Sequence, residues 1–248
     1  MRMIKDMLKR GIGAGNLGRL DFFRHPERQY SWGGPFNGQK FRRRIVFDLL
    51  FAFPIKAVVE TGTFRGTTTA LFAATSLPVY SAEIHPRYFS YAKTRFLFNR
   101  HNVHLYHGDS RSFLRYLSGD SRIPKEDVFF YLDAHWGNDS PLRDELEIIF
   151  SKWERPIVMV DDFQVPDSGY GFDDYGPGKA LNLDYIDPVV STHNISVFFP
   201  SVDSPKETGG RRGSVVLCKE MSGVEIDKTV KTLVRDSSRR KRDRAIAL

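Results

Sequence analysis

Between Lys56 and Lys219 the sequence alternates short apolar runs with helix-forming stretches, and three of its aspartates stand where two of those runs end. Five runs (KAVVE, VYSAE, NVHLYHG, DVFFYLD and PIVMVDD) are each followed by a stretch with helical character. Two further runs, ISVFFP and GSVVLCK, have only the polar segment DSPKETGGRR between them. Strand–helix units in succession predict a parallel sheet, and two adjacent strands predict an antiparallel pair at its end. Asp133 closes VFFYLD and the pair Asp161-Asp162 closes PIVMVDD. Ligands of open α/β sheets bind beyond the carboxyl ends of the strands. Three carboxylates converging there need a cation or a shared proton to offset their repulsion.

The first unit carries a second signal. In VVETGTFRGTTT, Gly62 and Gly66 punctuate a turn between an apolar run and a helix. Glycine lets the backbone approach a ligand closely, and a helix start offers free N–H groups. Thr67 to Thr69 serve equally well as a helix cap, so their role is mixed at this stage. Glu83 ends the second run, where an acid suits the two hydroxyls of a ribose. Asp109, with Ser110 after it, follows the third run in HGDS, either to meet an adenine amino group or to cap the next helix.

A more familiar pattern is set aside by its context. Gly13-Ala14-Gly15-Asn16-Leu17-Gly18 has GxGxxG spacing but follows the basic segment MRMIKDMLKR instead of a strand, and no acid stands about 20 positions later. It reads as a flexible hinge after an amphipathic helix over residues 1–10. FRRRIVFDLLFAF reads as a helix leading into the main domain. The expected layout is a basic N-terminal arm over residues 1–44, a catalytic domain over 45–220 and a basic tail over 221–248.

Charge separates these regions. Residues 1–44 carry +8 and residues 221–248 carry +4, leaving the body between them at −5 within a total of +7. An enzyme that works on nucleic acid needs a basic surface beside its site, so nucleic acid is a disfavoured partner. A single cysteine, Cys218, permits no intrachain disulfide. Together with an N-terminus lacking a secretory signal's apolar stretch, it points to the cytoplasm. No run approaches the roughly 18 apolar residues of a membrane span.

With these motifs assembled, the chain resembles the class I S-adenosylmethionine-dependent methyltransferases over roughly residues 45–220, which implies a Rossmann-like, doubly wound α/β sheet. ETGTFRG is similar to that family's first motif, Glu83 to its ribose-binding acid and GDS to its adenine-contacting segment. The resemblance implies a cofactor site of Glu60, Thr61, Gly62, Thr63, Gly66, Thr67, Glu83, Asp109 and Ser110, with Glu60 near the methionine portion. LDAHW followed by VDDF resembles the divalent-metal O-methyltransferases of the catechol and macrocin/novobiocin sugar types. That likeness implies Mg²⁺, or Mn²⁺, held by Asp133, Asp161 and Asp162.

His135 stands two residues after Asp133, where the sugar-type enzymes carry an acidic base. It is a candidate general base beside the catalytic Asp133, or a residue that orients substrate. His85 is expected near the adenosine pocket and Trp136 in the acceptor wall. The loop DSGYGFDDYGPG over residues 167–178 is placed to close over a substrate, with Asp173 and Asp174 as candidate contacts to acceptor hydroxyls.

The expected function is methyl transfer to a hydroxyl of a small acceptor, a sugar or natural-product scaffold. Assembly into a homo-oligomer is left open by the sequence. The alternatives are a nucleic-acid methyltransferase tethered by its basic ends, or a non-catalytic binding module on the same fold.

Overall fold

The computed structural model describes residues 13–98, 102–135, 140–219 and 226–236. The expected N-terminal helix, His101, Trp136 and the charge run at the C-terminus lie outside the described residues. Helix α1 (Ala14–Arg24) is followed by two 3₁₀ segments, Pro26–Gly33 and Pro35–Gly38, and by α2 (Lys40–Ala52). The alternation then begins with β1 (Ala57–Thr61), α3 (Thr67–Ala73), β2 (Val79–Glu83), α4 (Pro86–Phe96), β3 (Val103–His107) and α5 (Ser110–Gly119). It continues with β4 (Val128–Leu132), α6 (Leu142–Lys152), β5 (Ile157–Asp161), α7 (Leu183–Thr192) and β6 (Ile195–Pro200). The described chain ends with β7 (Ser214–Lys219), α8 (Ile226–Thr229) and β8 (Leu233–Arg235).

One eight-stranded sheet has the order β3-β2-β1-β4-β5-β7-β6-β8. β1 to β5 pair in parallel, β7 runs antiparallel between β5 and β6, and β8 adds an antiparallel edge. This is the doubly wound α/β architecture expected, with its C-terminal antiparallel pair. The eighth strand falls in the stretch read as a basic tail; three residues are too few to show an alternating pattern.

The sheet is covered on both faces, as a parallel sheet must be. Along β4, Val128, Phe130 and Leu132 join the core beneath α5, α6 and α7, while Phe129 and Tyr131 join Ile45, Val46 and Leu49 of α2 on the other face. Because successive strand side chains point to opposite faces, one apolar run feeds both cores. Strand order reverses between β1 and β4, with Glu60 paired to Tyr131 and Thr61 to Leu132. A ligand crevice is expected beyond that point.

The glycines over residues 13–18 are not a hinge. All but Gly13 lie in α1, which packs on α4 so closely that a Cβ on Gly18 would stand 2.0 Å from the Arg87 carbonyl oxygen. Arg87 Nε donates to Asp21 at 2.6 Å across the same contact. Glycine here permits helix–helix approach, a tertiary demand that local context does not reveal. The boundary expected at residue 44 runs through α2, and the segment before α2 lies against the sheet domain. α7 starts at Leu183, where the Asn182 side chain caps it by accepting from Tyr185 N at 2.9 Å.

Candidate active site

The turn after β1 is built from the outside in. Gly62 has φ +91°, and a Cβ there would lie 2.2 Å from the Asp133 carbonyl oxygen. Asp133 N in turn donates to Thr61 O at 2.9 Å, so the ends of β1 and β4 are locked together. Gly66, at φ +70°, is the N-cap of α3 and leaves no room for a side chain against the Phe96 ring. Glu83 accepts from Phe64 N and His85 N, both at 2.7 Å. Its carboxylate therefore holds the backbone of the glycine turn, and burial raises its pKa while those N–H groups lower it.

Glu60 is buried and accepts from Thr69 Oγ1 at 2.5 Å and Ser81 Oγ at 2.6 Å. Ser81 also shares a 2.5 Å hydrogen bond with Thr63. Desolvation lifts the Glu60 pKa to about 7 against these hydroxyls. Thr67 Oγ1 donates to Gln29 O at 3.1 Å, which ties α3 to the N-terminal segment instead of capping its own helix. Asp109 is the N-cap of α5, accepting from Arg111 N at 3.0 Å and Ser112 N at 3.2 Å; the Arg111 side chain on it depresses its pKa.

At the ends of β4 and β5, donor atoms of Asp133, His135 and Asp162 all lie within 4.8 Å of one another. Asp161 is engaged otherwise. It is buried, paired with Arg42 of α2, receives the Tyr131 hydroxyl, and accepts from Asp162 N at 2.7 Å. Asp162, at φ +52°, accepts from Arg212 Nε at 2.7 Å, and the same guanidinium reaches Asp173. Tyr175 donates to Asp173 at 2.5 Å, and its hydroxyl also meets the His135 carbonyl, so the loop over residues 167–178 is stitched onto the site.

Desolvation, then the neighbouring aspartates, raises the Asp133 pKa well above the usual carboxylate range. The same causes take Asp162 to about 7 against the pull of Arg212. The His135 ring is buried, neither of its nitrogens has a hydrogen-bond partner among the described residues, and its Nε2 lies 3.9 Å from Asp133 Oδ1. Burial lowers its pKa to about 4. Two carboxylates with raised proton affinity at one strand edge fit a divalent cation, whose preference for oxygen ligands is that of Mg²⁺ or Mn²⁺. Asp174 Oδ1 accepts from Gly176 N at 2.9 Å within its own loop. His85 caps α4, its ring accepting from Arg87 N at 3.3 Å.

Three contributors escaped the sequence reading. Arg42 lies in the charged run Arg42-Arg43-Arg44 near the start of α2, yet it is buried with the helix's apolar face. Glu145 is fully buried on α6; its place between Leu142 and Ile149 on one helical face was the available signal. The hydroxyls of Thr61 and Ser110 face its carboxylate without completing hydrogen bonds of normal geometry, and desolvation lifts its pKa to about 7. The third is SWGGPFNG, which has no periodicity. It borders a cleft through Trp32 and Phe36, opposite Gly62, Phe64 and Asp133.

No protein-family model matches the chain, and no curated protein matches it. Solved structures do. A putative O-methyltransferase from Klebsiella pneumoniae superposes with a TM-score of 0.51 at 15% identity, over 79% of this chain and 87% of that one. The O-methyltransferase from Bacillus cereus, in complex with SAH, gives 0.49 at 14% identity, covering 73% and 80%. TomG from Streptomyces achromogenes, an O-methyltransferase of tomaymycin synthesis in complex with SAM, gives 0.49 at 15%, with the same coverages. The fold is thus the Rossmann-like methyltransferase fold. Among the described residues no helix is long and apolar enough to cross a membrane.

Proposed function

We propose that the chain is an S-adenosylmethionine-dependent O-methyltransferase that acts, with a divalent cation, on a small hydroxylated acceptor such as a sugar or natural-product scaffold. The observation that carries this reading is the junction of two sites at one strand edge. The Gly62 backbone touches the Asp133 backbone, and Asp133 stands within 4.8 Å of His135 and Asp162.

In this reading Gly62 and Gly66 fold the turn tightly against Asp133 and Phe96 to shape the cofactor site, with Glu60, Thr61, Thr63 and Thr67 around its methionine end. Glu83 meets the ribose, and Asp109 and Ser110 lie at the adenine end. Asp133 and Asp162 hold the cation, with Asp161 behind them keeping Arg42 and Tyr131 in place. A divalent cation so bound supplies Lewis acidity that lowers the pKa of an acceptor hydroxyl. His135, uncharged at neutral pH and without a hydrogen-bond partner among the described residues, takes the hydroxyl proton. S-adenosylmethionine, held by the cofactor residues named above, would supply a methyl group on a positively charged sulfur, the leaving group being the neutral thioether. The protein's main task is alignment, since the methyl group arrives already activated.

The test is S-adenosylhomocysteine production from a panel of vicinal diols, before and after exhaustive chelation. Turnover that stops with EDTA and returns with Mg²⁺ or Mn²⁺ supports the reading. Turnover that survives chelation removes the metal from it.

A further inference from the structure

The polar segment before β7 ends in two adjacent arginines with different fates. Arg211 is exposed, whereas Arg212 is half-buried and held by the start of α2. Gln39, the N-cap of α2, is buried, and its side chain makes no cap to its own helix. Its amide takes both backbone groups of Arg212 instead. Nε2 donates to Arg212 O at 2.9 Å, and Oε1 accepts from Arg212 N at 2.7 Å. Arg42, one turn further along, also donates to Arg212 O and, at 3.0 Å, to Gly213 O. The helix is capped from outside by Glu207, which accepts from Phe41 N at 3.1 Å and Arg42 N at 3.2 Å. Glutamine is not among the favoured N-cap residues. Its reach serves here to fix a backbone 173 residues away.

The residue so clamped faces two carboxylates. Arg212 Nε donates to Asp162 Oδ1 at 2.7 Å, and its Nη2 reaches Asp173 of the loop over residues 167–178. Asp173 N donates to Asp162 O at 2.9 Å, and Gly213 N donates to Gly171 O at 2.7 Å, so loop and strand end share one frame. A carboxylate gripped at one oxygen by a planar guanidinium has its other oxygen fixed in direction. Lysine, a point charge on a flexible stem, does not impose such geometry.

We infer that Arg212 is a positioning residue for the cation site: clamped by Gln39, it aims Asp162 at the ion. This rests on the divalent-cation reading above and adds to it the residue that orients one of the ligands. The competing role is that of a plain counter-ion, which neutralises Asp162 and competes with a metal for it. The two roles differ in sign. Removing a counter-ion takes a positive charge from beside the site and strengthens cation binding. Removing a partner that orients a ligand weakens it, by roughly 10–100-fold.

The experiment is calorimetric titration of the full chain with Mn²⁺ in the absence of any acceptor. Arg212→Gln removes both the charge and the fork, and Arg212→Lys keeps the charge alone. Both are expected to bind Mn²⁺ at least about tenfold more weakly than wild type. Gln39→Leu should show a smaller loss by itself and none when added to Arg212→Gln, because it acts through that residue. If Gln39→Leu fails to fold, the two Arg212 variants decide the matter alone. S-adenosylmethionine affinity should be unchanged in both of them. Unchanged or tighter Mn²⁺ binding by Arg212→Gln, or full recovery with Lys, overturns the inference and leaves the cation reading intact. A parallel loss of S-adenosylmethionine binding marks a general structural role and overturns it as well. A wild-type chain that binds no Mn²⁺ overturns both.

Discussion

Replacing Glu145 by Gln should make the protein more stable in a pH-dependent way. Glu145 is completely buried, and neither carboxylate oxygen completes a normal hydrogen bond among the described residues. Its pKa rises from 4.5 to about 7. The native state therefore holds this proton more tightly than the unfolded chain does. Below about pH 4.5 both states are protonated and the group costs nothing. Between 4.5 and about 7 the unfolded chain ionises first, and stability falls by roughly 1.4 kcal/mol per pH unit. Above about 7 the penalty levels off at about 3 kcal/mol. Gln keeps the shape and abolishes the titration, so its advantage should be absent at pH 4.5, grow to pH 7 and then stay constant. Urea unfolding of both proteins from pH 4.5 to 8.5 measures this as a difference, which cancels the parallel contribution of Glu60. A difference that does not change with pH would refute the reasoning, because it would mean that water or a counter-ion solvates Glu145.

Three further expectations test individual contacts. Gly62→Ala combines a positive φ with a Cβ 2.2 Å from the Asp133 carbonyl oxygen, so it should cost on the order of 2 kcal/mol or more and impair cofactor binding, checked by melting and calorimetry. Arg42→Ala leaves Asp161 buried without its cation and should destabilise by about 3–5 kcal/mol, while adding Asp161→Asn should recover part of that loss in a double-mutant cycle. His135→Ala should lower kcat by roughly 10²–10⁴-fold with S-adenosylmethionine affinity nearly unchanged, as steady-state kinetics and calorimetry would report; an unaltered kcat assigns the proton to another acceptor.

The strand-and-helix alternation and the acids at the strand ends were legible because they are local. A five-residue apolar run, a glycine turn or an aspartate at the end of a run is visible in a short window, and the fold class follows from their succession. The positions of Asp133 and Asp162 beside the glycine turn follow directly from parallel strands whose carboxyl ends share one edge. Local chemistry also left Asp109 open between capping a helix and meeting a ligand, and the structure shows the cap.

What the sequence left undecided depends on partners far along the chain. Asp161 and Asp162 are adjacent and chemically identical, yet Arg42, 119 residues away, takes the first, while the second turns through a positive φ towards His135 and Arg212. The glycines of residues 13–18 serve a helix contact made with Arg87, and the segment around Trp32 gains its place from Arg65, Gln29 and Phe36. Spacing alone determines which face a residue takes within its own element. Which buried charge finds a counter-ion, and which stays free to meet a ligand, is decided only when distant elements pack, because desolvation penalises every charge that is left unmatched.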